Sequence, residues 1–108
     1  MLPTILQINF KFNGSKADFQ ATAHPAAQPI AAFPGLQWKI WLFNENGGEA
    51  GGIYLFDSPE AAQHYLQSPI ITGLGKHPGI TAITAKLFES PEDLSRITRA
   101  PLGLAQSV

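Results

Sequence analysis

The chain has 108 residues, a length that fits one domain with one core. Its formal net charge is −1 with no basic run, which argues against nucleic-acid binding, and the absence of cysteine excludes disulfides, thiolate chemistry and zinc–sulfur sites. Charged residues are only 14%, well under the usual ~25%, so part of the surface of so small a domain is expected to face a partner.

Residues 4–12, TILQINFKF, alternate Leu6, Ile8, Phe10 and Phe12 with Gln7, Asn9 and Lys11. That period predicts a first strand with one apolar face, and it distinguishes the N-terminal stretch from a signal peptide. Asn13-Gly14 breaks the strand, and Ser15 with Asp18 three places on reads as a helix cap. Phe19, Ala23, Ala26, Ala27 and Ile30 then fall at helical spacing. Pro25 and Pro29 interrupt them, so residues 16–33 are expected as a kinked or two-piece helix closed by Pro34-Gly35.

Residues 36–43 and 50–56 read as two strands joined through Asn46-Gly47-Gly48, a hairpin signal. Alternation puts Trp38, Ile40 and Leu42 on one face and Trp41 and Phe43 on the other. Ile53 and Leu55 oppose Tyr54 and Phe56 in the same way. Antiparallel sheets usually keep one wet face, and these strands have none. Ser58-Pro59-Glu60 opens a second helix with Ala61, Ala62, Tyr65 and Leu66 inward, and Pro69 ends it. A loose turn is expected at 69–77, a last strand at 79–88, and a capped turn at Ser90-Pro91-Glu92-Asp93.

The order is β-α-β-β-α-β over a single domain, residues 1–108, an α+β ferredoxin-like arrangement with a four-stranded antiparallel sheet. Both helices are expected on one face. The second apolar face is then bare in a monomer, and a sheet-to-sheet homodimer about a two-fold axis would cover it. No segment is long and apolar enough to span a bilayer, and the missing cysteines fit a reducing, cytoplasmic setting.

The segments LQINFKFNG (6–14), PGLQWKIW (34–41), EAGGIYLF (49–56) and AKLFESPEDLSRI (85–97) resemble the YdhR-type family of mono-oxygenases, within the dimeric α+β barrel superfamily. Residues 49–56 carry the most specific part, with Trp38-Lys39-x-Trp41 next, and Pro29 departs from the pattern. The resemblance implies the fold, the dimer and a pocket between sheet and helices. It also implies an oxidoreductase activity: O2-dependent oxidation of a small phenol- or quinol-like aromatic without metal, flavin or other cofactor.

Such chemistry needs an apolar pocket and polar groups that hold a substrate anion. Trp38, Trp41, Tyr54 and Phe56 are the aromatic candidates for substrate binding, against the plainer reading that they are core or interface. Opposite parity of Trp38 and Trp41 lets at most one face a helix-side pocket. Asn9 is a candidate for substrate binding or catalysis, since a central strand seldom carries an amide without a partner. Lys86 can favour a phenolate or simply be solvated. His77, before Pro78, is the best-placed histidine for a general base or an axial haem ligand, while His64 lies four residues after Glu60 as a surface pair would. His24, His64 and His77 have no metal-ligand spacing. Two rivals stay open: a non-catalytic binder of an apolar small molecule, and a haem-binding or haem-degrading protein.

Overall fold

The computed structural model describes residues 3–102. Its elements are β1 (Thr4–Phe12), α1 (Lys16–Ala31), β2 (Leu36–Asn44), β3 (Glu49–Phe56), α2 (Pro59–Leu66), α3 (Pro69–Lys76), β4 (Ile80–Glu89) and α4 (Glu92–Ile97). The four strands form one antiparallel sheet in the order β2-β3-β1-β4, the ferredoxin-like arrangement. Among the described residues no helix is long and apolar enough to cross a membrane.

Strand alternation sorts the side chains into two layers. Leu6, Ile8, Phe10 and Phe12 of β1 are buried on the helix side, level with Tyr54 and Phe56 of β3. Lys39, Trp41 and Phe43 of β2 join them through the pairs Lys39↔Tyr54, Trp41↔Gly52 and Phe43↔Ala50. The opposite face carries Gln7, Asn9, Trp38, Ile40, Leu55 and Lys86. Tyr65, Phe56, Leu6, Ile8 and Leu55 are the largest fully buried side chains. Each contributes roughly 1.5–3 kcal/mol by leaving water.

Local chemistry starts and stops the helices. Ser15 Oγ accepts from the Asp18 amide at 3.2 Å, and Asp18 accepts back from the Ser15 amide at 2.9 Å. The Ser15 amide first, and the Ser15 hydroxyl second, hold the Asp18 carboxyl below its usual range. Ser58 Oγ caps α2 through the Ala61 amide at 3.2 Å. The turn before β2 needs Gly35, whose φ is +88° and whose added Cβ would lie 2.6 Å from Ala61 Cβ.

Three expectations are corrected. Of the two forms expected for the first helix, kinked or two-piece, the second is excluded: it is one continuous segment that ends at Ala31 rather than at residue 33. Its buried Phe19 and Ile30 anchor both ends, and that packing outweighs the local preferences of Pro25 and Pro29. Residues 69–76 form an eight-residue helix rather than a loose turn, with Ile70, Ile71 and Leu74 packed against the core. The far sheet face is also not bare throughout. After α4 the chain returns to it, where Trp38 Nε1 donates to the Pro101 carbonyl at 2.6 Å and Leu102 is buried.

Candidate functional site

A half-open cavity of about 330 Å³ lies between the sheet, α1 and α3. That is the small end of the roughly 300–1,000 Å³ typical of ligand pockets. Phe10, Lys39, Trp41 and Tyr54 of the sheet line one side. Ala23 and Ile30 of α1 and Ile70 and Leu74 of α3 line the other. Aromatic clusters bracket the space. At one end Phe19 stacks on Phe43 at 5.3 Å and meets Trp41 edge-on at 6.4 Å. At the other Tyr54, Phe56 and Tyr65 pack with centroids 4.9–5.9 Å apart.

Lys39 is the charged side chain among the residues lining this cavity. Its Nζ sits 3.3 Å from the Trp41 ring centroid and 4.6 Å from that of Tyr54. Among the described residues no carboxylate pairs with it. Burial lowers its pKa from the ordinary lysine value to about 7. The two ring faces supply the attraction that a counter-ion would otherwise supply. Gly52 makes this placement possible: a Cβ there would lie 2.5 Å from Lys39 Cε.

Tyr65 donates its hydroxyl hydrogen to the Tyr54 oxygen at 3.1 Å inside the core. The Tyr54 hydrogen is then left for the cavity. Burial and the neighbouring Tyr65 raise the Tyr54 hydroxyl far above its usual range, and burial pushes Tyr65 up to about 12. Both therefore act as neutral donors. His77 also lines the cavity, and its Nδ1 accepts from the Gly79 amide at 2.9 Å. In the neutral ring Nε2 then carries the proton and can donate.

Of the residues singled out from sequence, Trp41, Tyr54 and His77 meet at this cavity. Phe56 is fully buried behind Tyr54, stacked on its ring at 5.9 Å. Asn9, Lys86 and Trp38 lie on the opposite sheet face, because their strand positions have the other parity. There Asn9 borders a separate groove with Lys11, Leu42, Asn44, Glu49 and Thr84. Lys39 and Tyr65 were missed. The signal for Lys39 was its shared parity with Trp41 and Phe43, an isolated cation on an apolar helix-facing row, opposite Tyr54 and diagonal to Gly52.

Comparison with known proteins supplies the family and the fold. Residues 5–101 match the family model described as "Putative mono-oxygenase ydhR", and the chain belongs to that family. Among solved structures it resembles SnoaB, a cofactor-independent oxygenase from Streptomyces nogalater, at TM-score 0.67 and 16% identity over 83% of this chain and 94% of that one. It also resembles an antibiotic biosynthesis monooxygenase, described as putative, from Deinococcus radiodurans, at 0.64 and 17% over 81% and 91%. The haem-degrader MhuD from Mycobacterium tuberculosis matches at 0.62 and 19% over 81% and 95%. At these identities the likeness is one of fold. No match was found among curated protein sequences.

Proposed function

We propose that the protein is a cofactor-independent mono-oxygenase that oxidises a small phenol- or quinol-like aromatic with O2 in the cavity beneath α1 and α3. The observation that carries this reading is the half-buried Lys39 amine, held against the Trp41 and Tyr54 rings with no carboxylate partner among the described residues. An amine with a pKa of about 7 accepts a proton near neutral pH and then pairs with the anion it has created. The substrate ring stacks along the aromatic wall, in line with family membership and with the oxygenase named among the structural neighbours.

The remaining steps need only O2. The substrate anion gives one electron to O2, and the two radicals combine to a peroxide at a ring carbon. The neutral Tyr54 hydroxyl stabilises the developing negative oxygen. Loss of water leaves a carbonyl, so a CH2 group and O2 become C=O and H2O. The apolar walls shield the intermediates from solvent.

The same reading includes a two-fold homodimer through the far sheet face, formed by a single domain in a cytoplasmic setting. Ile40 and Phe88 on that face are 52% and 46% exposed, and Leu94 and Ile97 of α4 are 62% and 74% exposed. These apolar side chains, together with the low charge count, favour a covered surface.

Oxygen uptake by metal-free protein with anthrone-type and quinol substrates tests the activity. Wild type should consume O2, with kcat/KM rising through about pH 7 to a plateau, and Lys39→Met should lose on the order of 10²-fold or more. A folded wild type that turns over nothing across a broad panel sinks the reading. A retained ligand released unchanged in air would mark a binder instead, and a Soret shift on titration would mark haem.

A further inference from the structure

The Lys39 amine has a second chemical capacity that oxygenation does not use. A primary amine attacks carbonyl carbon when it is unprotonated, reachable and unencumbered by a counter-ion. Lys39 meets these conditions geometrically. It lies in an apolar cavity open on one side, with Phe10, Ile30, Ile70 and Leu74 around it and no carboxylate on it among the described residues. Burial also favours its neutral form. Lys11 and Lys16 are exposed, and Lys11 pairs with Glu49 at 3.8 Å.

The cavity also supplies what imine formation needs beyond the amine. An aryl group attached to a carbonyl can lie against Trp41 and Tyr54, whose rings already flank Nζ at 3.3 and 4.6 Å. The neutral Tyr54 hydroxyl, which accepts from Tyr65 rather than donating to it, can hydrogen-bond the carbonyl oxygen. Water leaving the carbinolamine has an exit through the open side, while apolar walls disfavour its return.

We propose that Lys39 is a carbonyl-capture site that condenses with small aromatic aldehydes to form an imine. Nζ adds to the carbonyl carbon, the carbonyl oxygen leaves as water with both amine protons, and a C=N bond replaces C=O. No oxidant or reductant takes part. The proposal shares its cavity with the oxygenase reading but not its chemistry, so either can fail while the other stands.

The experiment traps the imine. Folded wild type is incubated with benzaldehyde at neutral pH, reduced with borohydride, weighed intact and digested for peptide mapping. The expected result is one added benzyl group per chain, located on Lys39 at least tenfold above Lys11, Lys16, Lys76 or Lys86. Gly52→Ala, which displaces the Lys39 stem while keeping every lysine, should abolish the preference; circular dichroism confirms that it is folded. Labelling spread evenly over the exposed lysines, no adduct on folded wild type, or a preference unchanged in folded Gly52→Ala would each overturn the proposal.

Discussion

Burial and charge oppose one another at Lys39, and pH decides which prevails. Its pKa in the folded chain is lowered to about 7, whereas an unfolded lysine titrates near ~10.4. Between those values the unfolded chain binds more protons, so this residue makes stability rise with pH across that window. The slope is at most about 1.4 kcal/mol per pH unit. Below about pH 7 both states are protonated and the full cost of burying the cation remains. The ring faces of Trp41 and Tyr54 offset part of it. Lys39→Met should therefore be more stable than wild type by about 2 kcal/mol at pH 6, with the gap closing towards pH 10. Urea unfolding of both proteins across that range measures the difference. A gap that stayed constant with pH would show that packing, not ionisation, sets it. The lysine thus lowers stability at the pH where the proposed chemistry would use it, as functional groups commonly do.

At the scale of elements, the glycines of β3 and α3 play opposite parts. A Cβ on Gly51 would collide with the backbone carbonyl of Ile8 on the neighbouring strand, so this glycine permits the β1–β3 approach. A Cβ on Gly73 in α3 meets nothing within 4 Å. Gly51→Ala should cost upwards of about 2 kcal/mol, since overpacking against a backbone cannot relax by a rotamer change. Gly73→Ala should add about 0.5–1 kcal/mol by removing unfolded-chain freedom from a helix. Thermal unfolding of the two variants should bracket wild type. Much of this layer was legible in the sequence. Period two assigned the faces of β1, β2 and β3, and Ser15 and Ser58 marked helix starts that their caps bear out. The continuity of α1 was not legible, because proline chemistry is local whereas the burial of Phe19 and Ile30 is tertiary. The site was half legible for a related reason. Alternation separated Trp38 from Trp41 and Tyr54 from Leu55, but the register that brings Trp41, Lys39 and Tyr54 onto one layer is tertiary, and Asn9 and Lys86 drew notice without their layer being fixed.

Over the whole molecule, the return of the chain covers part of the far sheet face at Trp38. The hydrogen bond from Trp38 to Pro101 links residues 63 positions apart, a contact no local pattern reveals. Ile40 and Phe88 stay exposed on that face, and in the proposed dimer a second copy would cover them. Ile40→Glu should therefore give a monomer by light scattering at micromolar concentration, with the fold and the cavity retained. The same change leaving a dimer intact would place the interface elsewhere. A charge at Trp41, by contrast, should damage the cavity, since that side chain lies on the helix side.

The chain has two tryptophans, and the sheet keeps them on opposite sides. Each is thereby an optical reporter of a different event. Trp38, with its indole N–H held by the Pro101 carbonyl, reports on the docking of the chain's return and, in the proposed dimer, would report on the second copy. Trp41, beside the Lys39 amine, senses what enters the cavity. Replacing either one with phenylalanine turns intrinsic fluorescence into a single-channel signal. Assembly and ligand entry can then be followed separately in one unlabelled protein.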